Sequence, residues 1–348
     1  MTRPQALREV PRYGLPRRVV ALGGGTGMPS VLRGLRRHVT RGGIDSLTGV
    51  VTMTDDGGSS GRLRRTRGLP PPGDVRNCLV ALSDEEDLLA GLFQHRYDGS
   101  EEIGGHTVGN LILAALAEQT GSFLKAVEVS SRVLRVSGRI LPATAGSVML
   151  EAILDDGSTI AGETAIANCD RGIRRIGLRP DDAKATPGVV DAILEAELVI
   201  LGPGSLYTSL VPNLVVAEIG AALRDTAGTV VLVANLVSER GEAAGLQIAD
   251  HLRVLEEHAG GPFLDAVLIH DGQIDADILE RYQAEGASPL RSSSGLGDGI
   301  KILRKHLIAE GPKLRHDPEA TCAGVFQLWS DCSAGDGRRQ PVDARRMD

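Results

Sequence analysis

The sequence has few aromatic residues and few cysteines. Only 3% of its 348 residues are Phe, Trp or Tyr, so the core has to be built mainly from Val, Leu, Ile and Ala. The cysteines have no CxxC spacing, which argues against a disulfide framework or a zinc site and predicts free thiols in a reducing compartment. These cysteines are Cys78, Cys169, Cys322 and Cys332.

The chain also lacks an excess of positive charge and a long hydrophobic run. Its net charge is −7, which disfavours a nucleic-acid coat or a membrane-surface protein. No apolar run approaches the roughly 18 residues that a membrane span needs. The first residues contain no apolar stretch typical of a signal peptide. We therefore expect a cytoplasmic protein that binds no nucleic acid and has no membrane span.

Composition and patterning predict one large globular domain. Hydrophobic residues make up 42% of the chain and charged residues 24%, as in soluble globular proteins. Polar, Pro- and Arg-containing ends predict a flexible segment over 1–16 and a disordered tail over 331–348. A single α/β domain is expected over 17–330.

Short apolar runs alternate with helical patterns along this domain. The helical patterns include Pro29–His38, Asn110–Glu118 and Asp191–Glu195. The alternation predicts a Rossmann-like three-layer α/β/α sandwich with a mainly parallel sheet. Two strand-like runs around Asp156-Gly157 predict a small β-hairpin insertion over about 139–178. The predicted strands of the sandwich are Arg18–Leu22, Leu47–Met53, Leu198–Leu201, Thr229–Asn235 and Ala266–His270.

A glycine loop follows the first predicted strand. The residues Gly24, Gly25, Thr26 and Gly27 lead into a helix, where free backbone N–H groups and the positive end of the helix dipole favour an anion. Gly-Lys-Ser/Thr does not follow, so this is not a Walker A loop, and the third glycine of GxGxxG is missing. The loop predicts phosphate binding, against the alternative of a tight turn only.

The second predicted strand leads into TDDGGSSGRLRR. Asp55 and Asp56 are candidates for binding Mg²⁺ or ribose hydroxyls. Ser59 and Ser60 add hydrogen-bond donors, and Arg62 can pair with phosphate oxygens. The alternative interpretation is an exposed acidic turn. Its place after a strand favours a ligand, because ligands bind at the carboxyl ends of parallel strands.

Four further polar stretches lie at predicted helix starts or strand ends. Asp74 is well placed to cap a helix. His106 and Asn110 lie in GHTVGN, where ligand contact and a structural role remain equally open. After the strand Leu198–Leu201 come Gly204, Ser205, Tyr207 and Thr208, and Asn235 ends the next strand. One long ligand with a diphosphate, laid across the carboxyl edge of the sheet, would account for all of them.

Six motifs in order resemble one known family: GGGTG, TDDGGSSGRLR, PPGDVRNCLVAL, GHTVGNLIL, LGPGSLYTSLVPNL and ADHL. They are similar to the bacterial gluconeogenesis factors (YvcK-type) of the CofD-like superfamily, over Arg18 to Gln327. The resemblance implies a Rossmann-like fold. Related 2-phospho-L-lactate transferases use a guanosine-diphosphate-linked donor and Mg²⁺. The gluconeogenesis-factor branch is linked to UDP-sugar binding and to cell shape and envelope synthesis on gluconeogenic carbon sources.

The resemblance also implies roles for individual residues. Gly24–Gly27 match the phosphate loop of the family, and Asp55 matches its acidic position for a metal or nucleotide. Asn213 and the loop Gly202–Thr208 match a second ligand-facing edge. Tyr282 and Arg315 stand where the branch has a Tyr and an Arg, which could contact a uracil or sugar and a diphosphate.

Two functions remain open at this stage. The first is a regulatory protein that binds a UDP-sugar such as UDP-N-acetylglucosamine, acts through partners in envelope synthesis and forms a homo-oligomer, expected to be a dimer. The second is a Mg²⁺-dependent transferase of the phospho-lactyl type. We favour the first, because no acid, base or nucleophile set is evident and aromatic residues for a deazaflavin acceptor are scarce. Mg²⁺, at Asp55, is the only cofactor suggested.

Overall fold

The computed structural model describes residues 14–83, 88–99, 103–238, 241–290 and 299–334. A π-helical turn spans Leu206–Leu210. The strands are β1 (Arg18–Gly23), β2 (Ser46–Val51), β3 (Arg139–Pro142), β4 (Met149–Leu154), β5 (Thr159–Ala161), β6 (Ile173–Arg179), β7 (Leu198–Leu201), β8 (Thr229–Val233), β9 (Ala266–His270) and β10 (Lys301–Lys305). The helices are α1 (Gly27–Thr40), α2 (Gly58–Arg67), α3 (Gly73–Leu82), α4 (Leu88–Gln94), α5 (Val108–Thr120), α6 (Phe123–Val133), α7 (Glu163–Ala167), α8 (Val189–Glu195), α9 (Val211–Leu214), α10 (Ala217–Asp225), α11 (Ile248–Ala259), α12 (Ala276–Ala284) and α13 (Pro318–Ala334).

A seven-stranded parallel sheet forms the centre of the fold, in the order β10-β9-β8-β7-β1-β2-β3. The chain builds outward from β1 through β2 and β3, and later from β7 through β8, β9 and β10. The direction of winding therefore changes between β1 and β7. Such a switch point leaves a crevice at the carboxyl ends of the two strands, because their following loops diverge.

The central strands are apolar because helices cover both faces of the sheet. All four residues of β7 are buried, and β1 and β8 are buried except for their first residues. Helix α1 packs against α3 and α13, while α10 packs against α8 and α11. Each fully buried aliphatic side chain contributes about 1.5–3 kcal/mol by leaving water. The predicted three-layer α/β/α sandwich with a mainly parallel sheet is confirmed.

A separate three-stranded antiparallel sheet, in the order β5-β4-β6, forms the small insertion. The predicted hairpin is β4 and β5, whose turn contains Gly157 with a φ of 82°. The predicted start of the insertion at residue 139 is wrong. Strand β3 pairs in parallel with β2 and is the edge of the large sheet, so the insertion sheet begins at Met149.

The predicted C-terminal tail also begins too early. Residues 331–334 form the end of α13, which the polar composition of this stretch concealed. Residues 1–13 and 335–348, to which most of the two terminal predictions apply, lie outside the described residues. Within the described part of the chain, no single helix is long and apolar enough to cross a membrane. One sharply bent pair, Leu206–Leu214 with Ala217–Asp225, meets the length and composition test.

Candidate functional site

The glycine loop Gly24–Gly27 lies at the switch point, at the carboxyl end of β1. Gly25 has a φ of 62°, in the left-handed region that a glycine adopts without strain. A side chain at Gly27 would overlap the carbonyl group of Pro203, and one at Gly24 would overlap Thr52. Glycines are required here because the loop lies against the backbone of the loop after β7. On the solvent side of the loop, Thr26 is exposed and Gly25 and Gly27 are partly exposed.

The second loop, Gly202–Ser205, follows β7 and is held by the end of β8. The backbone N–H of Gly204 donates to Asn235 Oδ1 at 3.0 Å, and Asn235 Nδ2 donates back to the Gly204 carbonyl at 2.9 Å. The two-way hydrogen bond fixes the orientation of the Asn235 amide. Asn235 therefore positions the loop, and both its Oδ1 and its Nδ2 are used in these hydrogen bonds.

Asp74 lies at the candidate site, although its position at the start of a helix predicts a helix cap. Its carboxylate makes no cap bond at α3; Asp74 Oδ2 instead accepts from the backbone N–H of Gly25 at 2.6 Å. Burial and the nearby Asp55 raise the pKa of Asp74 to about 6, against the opposing effect of the Gly25 hydrogen bond. The predicted cap is wrong, because the first turn of α3 faces the glycine loop.

Asp55 and Asp74 approach each other across Gly73. A side chain at Gly73 would lie 3.2 Å from Asp55 Oδ2, and one at Gly24 would lie 3.0 Å from Asp74 Oδ2. Carboxylate oxygens are the ligands that Mg²⁺ prefers, and one or two carboxylates with phosphate oxygens commonly suffice. Besides burial, Asp55 also raises the pKa of Asp74, so the two carboxyl groups lie close enough to interact and are the candidate ligands for such an ion. No group of three or more His, Cys, Asp or Glu poised for a metal occurs among the described residues.

Asp56 is bound to the insertion. Its Oδ1 accepts from the backbone N–H of Thr164 at 2.9 Å and from the Thr164 hydroxyl at 2.5 Å. These bonds bring the next carboxyl, Glu163, to Thr54, whose hydroxyl donates to Glu163 Oε2 at 2.7 Å. Burial and three neighbouring aspartates raise the pKa of Glu163 to about 8. Nothing in the local sequence indicates that Glu163 reaches the end of β2, because the insertion brings it there.

A buried polar network joins the first turns of α2 and α5. Ser59 Oγ lies 2.9 Å from His106 Nδ1 and accepts from Asn110 Nδ2 at 3.0 Å. Arg76 Nη1 donates to Asn110 Oδ1 at 3.0 Å and to Thr107 Oγ1. The structure thus brings Ser59, His106 and Asn110 together in one network and adds Arg76 to them; their contact with a ligand stays a prediction.

Two other predicted residues fix loops around this network. Ser60 Oγ accepts from the backbone N–H of Gly73 at 3.1 Å, which joins α2 to the segment that carries Asp74. Arg62 Nη2 donates to the carbonyl of Gly104 at 2.6 Å. Both residues lie at the same end of the sheet as Asp55, because α2 starts where β2 ends.

At the carboxyl edge of the sheet, the part beside β8 is formed by the segment before α13. His316 Nε2 lies 3.1 Å from the carbonyl of Ala234, which places Arg315 beside the end of β8. Burial lowers the pKa of His316 to about 4, so the ring is neutral near pH 7. The backbone N–H of Leu314 donates to the Tyr282 hydroxyl at 3.2 Å. Tyr282 and Arg315 are therefore brought together, and Arg315 is exposed.

Three predicted residues are turned away from the edge. Tyr207 is buried, with its hydroxyl 3.4 Å from the carbonyl of Ile173 in β6, and burial raises its pKa to about 12. The hydroxyl of Thr208 donates to Glu242 Oε1 at 3.4 Å. Asn213 is fully buried and donates to the Ser209 carbonyl at 2.9 Å. Their side chains hold the loop after β7 against the insertion and α9.

By fold and site, this is a doubly wound α/β protein with glycine loops and carboxylates gathered at its switch point. The chain belongs to the CofD family: the sequence profile described as 2-phospho-L-lactate transferase CofD matches residues 19–308. It is 40% identical over 314 residues to the gluconeogenesis factor of Bacillus subtilis (strain 168), covering 89% of this chain and 98% of that protein.

Other relatives agree with this assignment. The gluconeogenesis factor of Halalkalibacterium halodurans is 41% identical over 313 residues, covering 89% of this chain and 95% of that protein. The crystal structure of protein BH3568 from Bacillus halodurans superposes with a TM-score of 0.85 at 37% identity, covering 89% of this chain and 99% of that one. The expected family and its Rossmann-like fold are both confirmed.

Proposed function

We propose that the protein binds a nucleotide-diphosphate sugar, with a UDP-sugar such as UDP-N-acetylglucosamine favoured, as a regulatory protein for cell shape and envelope synthesis on gluconeogenic carbon sources. The observation that carries the proposal is the contact between the loops Gly24–Gly27 and Gly202–Ser205 across the switch point. Backbone N–H groups at such a crevice are suited to a diphosphate.

The length of the edge supports an elongated ligand. From β2 through β1 and β7 to β8 there are three strand spacings, about 14 Å in all. Polar groups occur along this whole distance, from Asp55 to Arg315. The planar guanidinium group of Arg315 is suited to bind a phosphate with two hydrogen bonds. The ring and hydroxyl of Tyr282 are suited to contact a base or a sugar.

A magnesium ion would sit on the Asp55 side of the diphosphate. In this position Asp55 and Asp74 would contribute the protein ligands, and the ion would offset the repulsion between these carboxylates and the phosphate oxygens. At neutral pH and without a cation, the acidic pair opposes a diphosphate, so we expect Mg²⁺ to strengthen binding.

The second candidate is a Mg²⁺-dependent transferase with a nucleotide-diphosphate-linked donor. The Asp55–Asp74 pair beside a phosphate loop favours it, because phosphoryl-type transfer depends mainly on positioning and charge neutralisation. The cytoplasmic location, the homodimer and the partners in envelope synthesis stay predictions.

A ligand titration separates the two candidates. Thermal unfolding would be followed with UDP-N-acetylglucosamine, UDP-glucose or GDP, each with and without Mg²⁺. A ligand at 100 times its dissociation constant adds about 2.7 kcal/mol of stability, which is easily detected. A shift with UDP-sugars alone supports the regulatory protein. A Mg²⁺-dependent shift with GDP alone contradicts it and favours the transferase.

Two variants test the far end of the edge. Replacing Arg315 by Gln should weaken UDP-sugar binding about tenfold through loss of one charge-assisted contact. Lys313→Gln is the matched control, because it removes a nearby exposed positive charge, and should leave the affinity unchanged. Equal losses in both variants would indicate a general charge effect and contradict the assigned role of Arg315.

A further inference from the structure

The network around Arg76 contains a buried positive charge that forms no direct ion pair with a described carboxylate. Arg76 is only 6% exposed, and all of its hydrogen bonds go to neutral oxygens, on Thr107, Asn110 and Asn77. Its Nε is enclosed and has no hydrogen-bond partner. Burial lowers the pKa of Arg76 to about 10, although Asp74 and Asp55 favour its charged form, because a buried cation without a direct ion pair is costly.

The hydrogen bonds that begin at Arg76 run in one direction. Arg76 donates to Asn110 Oδ1, which leaves Asn110 Nδ2 to donate to Ser59 Oγ. The Ser59 hydroxyl then has its own proton free for His106 Nδ1, 2.9 Å away. A neutral His106 that accepts at Nδ1 carries its proton on Nε2. Each bond polarises the next, which strengthens Nε2–H as a donor.

The donor end of this chain is surrounded by further positive charge. His106 Nε2 has no hydrogen-bond partner in the described residues. Arg62 donates to the carbonyl of Gly104, and Arg96 Nη1 to that of Gly105 at 2.6 Å. Neither guanidinium forms an ion pair with a described carboxylate. Burial and the two arginines lower the pKa of His106, so the ring stays neutral near pH 7.

We propose that His106, Arg62 and Arg96, supported by Arg76 through Asn110 and Ser59, form a second anion subsite, which binds a carboxylate or phosphoryl group. The N-termini of α2 and α5 meet there and add their partial positive charges. The subsite neighbours the phosphate loop, because Ser60 contacts Gly73 and Asp74 contacts Gly25. It is distinct from the diphosphate position of the proposed function and does not depend on which nucleotide binds.

The first test is calorimetric titration of the full chain with orthophosphate and, separately, with acetate. Binding of either supports the subsite and identifies the oxyanion it prefers. Arg96→Gln should weaken that binding roughly tenfold, as expected for one charge-assisted hydrogen bond. Arg67→Gln, at the other end of α2, removes the same charge and should have no such effect. Lack of binding by both probes, or equal loss in the two variants, would overturn the proposal.

Replacements of His106 give a sharper comparison. His106→Asn can keep the Ser59 contact but lacks an atom at the Nε2 position, so it should weaken binding roughly tenfold. His106→Gln can place its amide near the Nε2 position and should retain more affinity than His106→Asn. Circular dichroism would show that each variant is folded. Oxyanion binding that survives His106→Asn unchanged would assign the probe to the phosphate loop and overturn the subsite.

The hydrogen-bond direction can be tested without any ligand. An ¹H–¹⁵N spectrum of the imidazole groups, assigned with His106→Asn, should show His106 protonated at Nε2. A proton on Nδ1 would mean that His106 donates to Ser59 instead of accepting from it. This result would contradict the donor role of His106 Nε2. This measurement is independent of nucleotide binding, so its outcome does not depend on the proposed function.

Discussion

The two sides of the switch point are built differently. On the β1–β2 side, the glycine loop is surrounded by ionisable groups with displaced pKa values: Asp74 at about 6, Glu163 at about 8 and Arg76 at about 10. On the β7–β8 side, the loop is held by neutral hydrogen bonds between Asn235 and Gly204, and the pKa of His316 is lowered to about 4. The groups around the β1–β2 loop are ionisable, whereas those that hold the β7–β8 loop are neutral near pH 7, with Arg315 as an exposed charge beyond them.

The difference indicates a division of roles along one edge. Hydrogen bonds between the backbone and a neutral side-chain amide hold the β7–β8 loop in place over a wide range of pH. We therefore expect the geometry of this side to be independent of pH. The carboxylates and guanidinium groups on the β1–β2 side change their interactions with pH, Mg²⁺ or a bound anion. We expect substitutions of the residues that hold the β7–β8 loop to affect mainly stability, and those of the ionisable groups on the β1–β2 side to affect mainly pH and ion dependence.

The largest expected effect comes from forcing the two sides apart. Gly27→Ala places a methyl group against the Pro203 carbonyl and should lower the free energy of unfolding by about 3 kcal/mol, since the backbone has to move. Gly91→Ala in α4 is the matched control, because open space surrounds that position. It should be neutral or slightly stabilising. Urea unfolding measures both; equal stability would show that the loops are not in firm contact.

A smaller effect should follow from loosening the neutral side. Asn235→Ala removes both bonds to Gly204 and should cost about 2 kcal/mol of unfolding free energy. Asn235→Asp keeps an acceptor for the Gly204 N–H and should cost less, although it adds a charge. Asn235→Ala, which adds no titratable group, should not alter the pH dependence of stability near pH 7. A new pH dependence of stability in Asn235→Ala would contradict the expectation that the geometry of this side is independent of pH.

The smallest effect concerns the charged side. Glu163 keeps its proton to about pH 8 in the folded protein, against 4.5 ordinarily, so the folded state binds more protons in this range. The free energy of unfolding should therefore fall as the pH rises between these values. Glu163→Gln, which retains an acceptor for Thr54, should reduce this decline by about 1 kcal/mol for each pH unit. Identical pH profiles for the variant and the parent would contradict the raised pKa.

Local sequence was enough to predict the layers of the fold and the glycine loops at the carboxyl edge of the sheet. Apolar runs such as Leu198–Leu201 require cover on both faces, and glycines after a strand mark close approach of backbones. Both properties are local, so Gly24–Gly27 and the hairpin at Asp156-Gly157 were found from a few neighbouring residues. Terminal boundaries were less accurate, because α13 continues into a polar stretch that composition alone assigns to a tail.

The directions of the side chains at the carboxyl edge of the sheet depend on long-range packing and could not be predicted from the sequence. Asp74 and Glu163 are 89 residues apart in the sequence, yet both lie near Asp55, because α3 and the insertion converge on the end of β2. Tyr207 and Asn213 follow a strand end as ligand residues often do, but the π-helical turn buries them. Spacing along the chain specifies a loop, whereas the direction of a side chain depends on elements that pack from far away in sequence.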